Sequence, residues 1–379
     1  MKKIILTVFI LLFIKGNTQD VLERTTFPQN KTKVQIAILF DTSNSMDGLI
    51  DQAKSRIWQI VNAANSLSYQ GVKPEIELAL FEYGNDFLAK ELNYLRKIVP
   101  LTNDIDAVSK ELFALKTHGG QEYCGAVISQ AIYQLNWSLN PNDLKMIYIA
   151  GNEPFNQGPI FYKDICSQSS NRGITVNTIY CGEYQQGIKE FWYDGAQLGG
   201  GEYSNINSNK EIVHISTPYD QKINELNDKL NNTYIYYGNT GKAKKDNLLE
   251  QDKNALKQAT ESKTERALYK SQSIGQNVSW DLVDAITVNP SIVEEIKDEE
   301  LPQELLGKTK EEKEEYIKQK QDERKKLSKE INDLSSKRNK HIQEQTKLNA
   351  ESGEKDFGEE VKKGIYKKAA EKGYEQKEL

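Results

Sequence analysis

The chain has 379 residues, 37% hydrophobic and 28% charged, which is enough apolar material for one substantial core but too little to spread evenly over that length. A formal net charge of -5 carries no basic excess and argues against a nucleic-acid partner. The 4 Trp, 19 Tyr and 11 Phe argue against wholesale disorder, and roughly two or three folding units are expected at this length.

Met1-Lys2-Lys3, the apolar run Ile4 to Ile14 and the polar exit Lys15 to Gln19 have the pattern of a secretory signal peptide over residues 1–19, cut between Gly16 and Asp20. The run falls short of the roughly 20 apolar residues a bilayer span needs; a retained signal anchor is the other reading of the same residues. No second apolar segment of that kind follows, so the mature chain is expected to have no membrane span and to reside in the periplasm, on the cell surface or in the medium. The three cysteines, Cys124, Cys166 and Cys181, allow at most one internal disulfide. Cys166 with Cys181 is the expected pair, because both fall in the upper half of neighbouring elements; three reduced, buried cysteines are the alternative.

Composition changes near residue 220, where charged residues go from roughly a fifth to roughly two fifths of the sequence. Before that point strands and helices alternate. Val34 to Phe40 is a continuous apolar run, the pattern of a strand buried on both faces of a parallel sheet. Leu49, Ile50, Ala53, Ile57, Ile60, Val61 and Ala64 then form a helical stripe. Strands follow over 75–83 and 94–101, and a helix over 104–115 is capped by Thr102 or Asn103. Another helix is expected over 124–135, with strands at 145–150 and 174–180 around a helix at 161–171. A short helix from Ile188 and a last strand near 203–206 complete this half. The expected fold is a doubly wound, mostly parallel α/β sheet, whose ligands sit beyond the carboxyl ends of its strands, after residues 40, 150 and 180.

Directly after the first strand stands Asp41-Thr42-Ser43-Asn44-Ser45, a D-x-S-x-S turn entering a helix. Alternate side chains on this loop can aim one carboxylate and two hydroxyls at a common point, an oxygen half-shell suited to a hard cation. On these residues the chain resembles the von Willebrand factor A-type family with its metal-ion-dependent adhesion site, over about residues 33–216. The resemblance implies a divalent cation, Mg²⁺ first and Mn²⁺ or Ca²⁺ as alternatives, held by Asp41, Ser43 and Ser45. It further implies a protein partner that supplies an acidic side chain as the missing ligand. Family members complete the shell with a Thr after a Gly pair and an Asp after the fourth strand. This chain has Gln121 or Glu122 at the first place, after Gly119-Gly120, and Gly151 or Asn152 at the second, with Glu153 next. Gln121, Glu122, Asn152 and Glu153 are therefore further candidate ligands. The alternative for Asp41, Ser43 and Ser45 is a helix N-terminus, and for the two glutamates a solvated loop.

His118 and Cys124 fall on the same rim and raise the question of thiol catalysis, but no third orienting group accompanies them, and a non-enzymatic module is the expectation. Beyond 216, Ser216-Thr217-Pro218 opens a helix to about Asn231 that is expected to dock on the sheet. A charged helix is expected over 244–272 and a long polar one over 309–347, where Leu327, Ile331 and Leu334 fit two heptad steps. A last amphipathic helix carries Phe357, Val361, Ile365 and Ala369. Its neighbours give a division into an A-type domain at 33–231, a helical or linker region at 232–300 and a charged, coiled-coil-like tail at 301–379. The tail is expected to act as spacer or to mediate self-association. An alternative function follows from it: a metal-free scaffold or assembly protein of the cell envelope acting through the tail.

Overall fold

The computed structural model describes residues 31–348 and 356–377; the segment read as an export leader, 1–19, lies outside them. Strand β1 (Lys33–Asp41) is buried from its second residue to its last. Val34, Ile36, Ile38 and Phe40 enter one core layer and Ala37 and Leu39 the other, as period-two alternation requires of a central strand. A 3₁₀ turn over Asn44–Met46 leads to α1 (Asp47–Asn65). The chain continues through the two-residue β2 (Leu67–Ser68), β3 (Glu75–Tyr83), β4 (Leu95–Thr102) and α2 (Ile105–Ala114). Helix α2 is capped by Asp104, one residue beyond the expected cap, whose side chain accepts from the Ala107 amide at 3.1 Å. Then come α3 (Cys124–Gln134), β5 (Leu144–Gly151), α4 (Tyr162–Asn171), β6 (Thr175–Cys181), α5 (Tyr184–Lys189), α6 (Trp192–Leu198) and β7 (Gly200–Ile206).

Six strands form one sheet in the order β4-β3-β1-β5-β6-β7. All pairings are parallel except β3 with β4 at one edge. Helices α3, α4 and α6 cover one face, through Val127, Ile128, Ala131, Ile165 and Trp192. Helices α1 and α2 cover the other. The mostly parallel α/β architecture is the one expected, and it brings the carboxyl ends of β1, β3 and β5 together.

The second half packs differently from expectation. Helix α7 (Asp220–Asn231) forms where the cap-then-Pro signature places it, but its Ile223, Leu226 and Leu230 do not dock on the sheet. They join Leu248, Ala267, Trp280, Leu327 and Ile331, from α8 (Gly238–Gln258), α9 (Thr260–Gln272), the turn before α10 (Leu282–Val288) and, past the four-residue α11 (Ile292–Glu295), α12 (Lys310–Leu348). The single charged helix expected over 244–272 is two, broken at Ala259, whose φ of -165 and ψ of 158 are extended. The sheet face left for α7 is covered by the last helix, α13 (Phe357–Glu371), whose Phe357, Val361, Ile365 and Ala369 belong to the core layer of β1 and α1. After it, β8 (Glu375–Gln376) pairs antiparallel with β2. Residues from Lys31 onward therefore form one compact unit rather than bodies divided at 231 and 300.

Part of the charge in these helices is internal. Arg266 is fully buried, paired with Asp106 on α2 and Asp252 on α8, its guanidinium 4.3 Å from the Trp58 ring centre. Arg324 on α12 pairs with Asp281 and Asp284, and Arg338 with Asp220 and Glu265. Their planar forks are satisfied by carboxylates on neighbouring elements.

Candidate metal centre

Asp41 is the last residue of β1 and pairs in register with Tyr83 at the end of β3. Its carboxylate is wholly buried. Oδ1 accepts the Ser43 amide at 2.8 Å, while Oδ2 has no hydrogen-bond partner. The loop that follows is held by backbone bonds on both sides: Thr42 N–H donates to Tyr83 O at 2.8 Å and His118 N–H to Thr42 O at 2.8 Å. Ser43 and Ser45 thereby face the same way, their Oγ atoms 3.3 Å apart, and Ser45 Oγ lies 3.4 Å from Asn152 Oδ1. Ser43 and Met46, the residues at the two helix starts, make no side-chain cap bond, and Ser45 Oγ is turned to Ser43 and Asn152.

Two bare backbone positions shape the floor. A Cβ at Gly151 would lie 2.6 Å from the Tyr83 hydroxyl and 3.1 Å from Asp41 Oδ2. The space beside Gly151 is thus filled by Tyr83, whose hydroxyl donates to Ala150 O at 3.1 Å. Gly84, at φ +76, would bring a Cβ to 2.7 Å from Asp41 Oδ1 and 2.8 Å from Glu122 Cγ. Tyr83 and Gly84 were not singled out from the sequence; the signal available was that β3 neighbours β1, so its last residues must border whatever β1 ends in.

The four further candidates separate. Glu122 is 8% exposed and lies over the Asp41 carboxylate, whereas Gln121 is exposed. Asn152 reaches Ser45. Glu153 is turned to Gln157, whose Nε2 donates to its Oε2 at 3.2 Å. Burial pushes the Asp41 carboxyl up to about 7, the amide and hydroxyl of Ser43 offset this only in part, and the charge of Glu153 adds to it. Burial, and after it the charges of Asp41 and Glu153, push Glu122 up to about 8. Such a set of clustered, desolvated carboxyls without a basic partner in contact suits a positive ion. Among the described residues no group of three or more His, Cys, Asp or Glu forms a metal cage by itself, so serine hydroxyls are required. By donor type Asp41, Ser43 and Ser45 fit a hard cation: the buried Asp41 Oδ2 stands beside two serine hydroxyls that contact each other and Asn152.

The cysteines do not join this chemistry. All three are free thiols. Cys166 packs in the layer of α3 and α4, while Cys181, an odd-numbered residue of β6, packs in the layer of α1 and α13 on the opposite face. The expected Cys166–Cys181 disulfide is therefore absent, for reasons of strand parity. Cys124 is buried against the Tyr83 hydroxyl, and its thiol is pushed well up by desolvation, away from the thiolate a nucleophile needs. His118 stacks its ring 3.8 Å from Phe87 rather than on Cys124.

No family model matches the chain, and no curated protein does. Among solved structures it is similar to proximal thread matrix protein 1 from the mussel byssus, at 14% identity and a TM-score of 0.34, over 46% of this chain and 41% of that one. It is likewise similar to the conserved hypothetical protein BatB from Bacteroides thetaiotaomicron, at 15% identity and a TM-score of 0.35, over 46% and 90%. A third is the SpRpn10 VWA domain, at 16% identity and a TM-score of 0.34, over 46% and 87%. The chain thus spans less than half the length of the mussel protein. With one antiparallel edge on an otherwise parallel sheet ordered β4-β3-β1-β5-β6-β7, and a D-x-S-x-S turn closing its central strand, the fold is von Willebrand factor A-like.

Proposed function

We propose that this protein is an exported, non-enzymatic interaction module that binds a divalent cation at the end of β1. Asp41, Ser43 and Ser45 hold the ion, with Glu122 and Asn152 beside it, and Mg²⁺ is the expected occupant because every donor is a hard oxygen. Bound there, the ion would act as a Lewis acid for a carboxylate brought by a protein partner. The chain's own residues do the rest: Tyr83 and Gly151 close the floor against water, and the Thr42 and His118 backbone bonds fix the loop. The observation that carries this reading is Asp41 Oδ2, fully buried, without a partner, beside two serine hydroxyls. A buried carboxylate oxygen left unpaired costs on the order of 1–3 kcal/mol, more when charged, and a cation removes that cost. Export rests on residues 1–19 alone. Among the described residues no helix is long and apolar enough to cross a membrane. The test is saturable binding of Mg²⁺, Mn²⁺ or Ca²⁺ that is lost in Asp41→Ala.

A further inference from the structure

We infer that Glu122 occupies the approach that a partner's carboxylate would use, so that the chain carries its own competitor for the cation. The inference rests on the cation reading above and deepens it by assigning a gate to that site. Glu122 lies in the loop after Gly119-Gly120, where a solvated side chain would be the ordinary outcome, yet it is 8% exposed while its neighbour Gln121 is exposed. Its placement is built in. A Cβ at Gly120 would fall 2.6 Å from Gly84 O, so the loop packs backbone to backbone on the turn after β3. At Gly84 itself a Cβ would meet both Asp41 Oδ1, at 2.7 Å, and Glu122 Cγ, at 2.8 Å. Two carboxylate side chains therefore converge above one bare position, next to the orphaned Asp41 Oδ2.

Charge balance gives the consequence. A divalent ion held by one carboxylate and two neutral hydroxyls keeps a net charge of about +1 and attracts a free carboxylate. With Glu122 also ionised at the ion the centre is neutral, and a partner's acid must displace Glu122 to enter. Glu153 is turned to Gln157 and acts on Asp41 and Glu122 only through its charge. Capture of an acidic side chain is thus gated by one internal glutamate, and removing its charge opens the site.

Water-proton relaxation of bound Mn²⁺ reads this directly, because a carboxylate that joins the ion displaces exchanging water. The full chain, Glu122→Gln and the smaller Glu122→Thr are loaded with Mn²⁺ and titrated with acetate and with a capped Gly-Asp-Gly peptide, each variant's melt confirming its fold. The expected result is that both variants bind Mn²⁺ more weakly than the parent yet lose relaxivity saturably, with carboxylate affinity raised roughly tenfold or more. An equal carboxylate response in parent and variants overturns the gate while leaving the cation reading intact. Mn²⁺ affinity unchanged in both variants places Glu122 away from the ion and also overturns it. Failure of the parent to bind Mn²⁺ overturns the cation reading and the gate together.

Discussion

Asp41 and Glu122 keep their protons to a higher pH in the folded chain than carboxyls do in an unfolded one, up to about 7 and about 8. Between the unfolded range near ~4 and those values the native state binds more protons than the unfolded state, so stability falls as pH rises through that window. A cation reverses the preference by favouring the ionised forms. In a chelator the melting temperature should therefore be lower at pH 8 than at pH 5.5, and Mg²⁺ should raise it at pH 8 with little effect at pH 5.5. A scanning-calorimetry series showing the opposite slope would contradict the assignment. Gly151 offers a second test, since a Cβ there would meet the Tyr83 hydroxyl at 2.6 Å. Gly151→Ala should cost about 1–3 kcal/mol in urea unfolding through overpacking, and a cost near zero would show the floor to be loose. At this scale the sequence was legible where candidate ligands are adjacent, as in Asp41-Ser43-Ser45. It was not legible where a loop chooses between neighbours: nothing in the residue types said that Glu122 would turn inward and Gln121 outward. The Cys166–Cys181 pairing failed on information that was present, because strand parity already sets Cys181 apart from Tyr180.

Among the elements, α12 departs most from its sequence signature. Ile317, Arg324, Ile331 and Arg338 stand at seven-residue steps and are 0%, 2%, 0% and 3% exposed. This buried row alternates isoleucine with arginine and packs within the chain against α7, α9 and α10. Apolar counting saw only part of the row, because arginine is ordinarily scored as surface. Arg324→Met leaves Asp281 and Asp284 buried without their cation and should cost on the order of 3–5 kcal/mol. A urea midpoint close to that of the parent would show that these carboxyls find other partners. Asp252 argues in the same direction with pH. Although burial opposes ionisation, Lys270 and Arg266 hold its carboxyl well below the usual range. Its contribution is present above the unfolded carboxyl range and is lost as pH falls below ~4, so the helical region should loosen first in acid.

Among the described residues from Lys31 onward, helix α13 closes the sheet. Helix α13 returns to the sheet after the long passage through α7 to α12, and Phe357 stacks 5.1 Å from Phe40, the residue before Asp41. Two helices, α7 and α13, both carry apolar stripes, and the residue pattern alone does not say which covers the sheet. For that reason the alternating first half was legible in order and type, whereas the division near 231 was not. Removing residues 356–379 should therefore unfold the sheet domain rather than trim a tail. Phe357, Val361 and Ile365 are each fully buried, and at about 1.5–3 kcal/mol apiece their loss exceeds what a marginally stable domain tolerates. A truncated chain with native circular dichroism and an unchanged melt would refute this.

The measurement that bears most directly on the account is calorimetric titration of Mg²⁺, Mn²⁺ and Ca²⁺ into the folded chain beside a folded Asp41→Ala variant. The geometry around Asp41 Oδ2 predicts one saturable site in the parent and none in the variant. Absence of binding by all three ions, or equal binding by the variant, would contradict it.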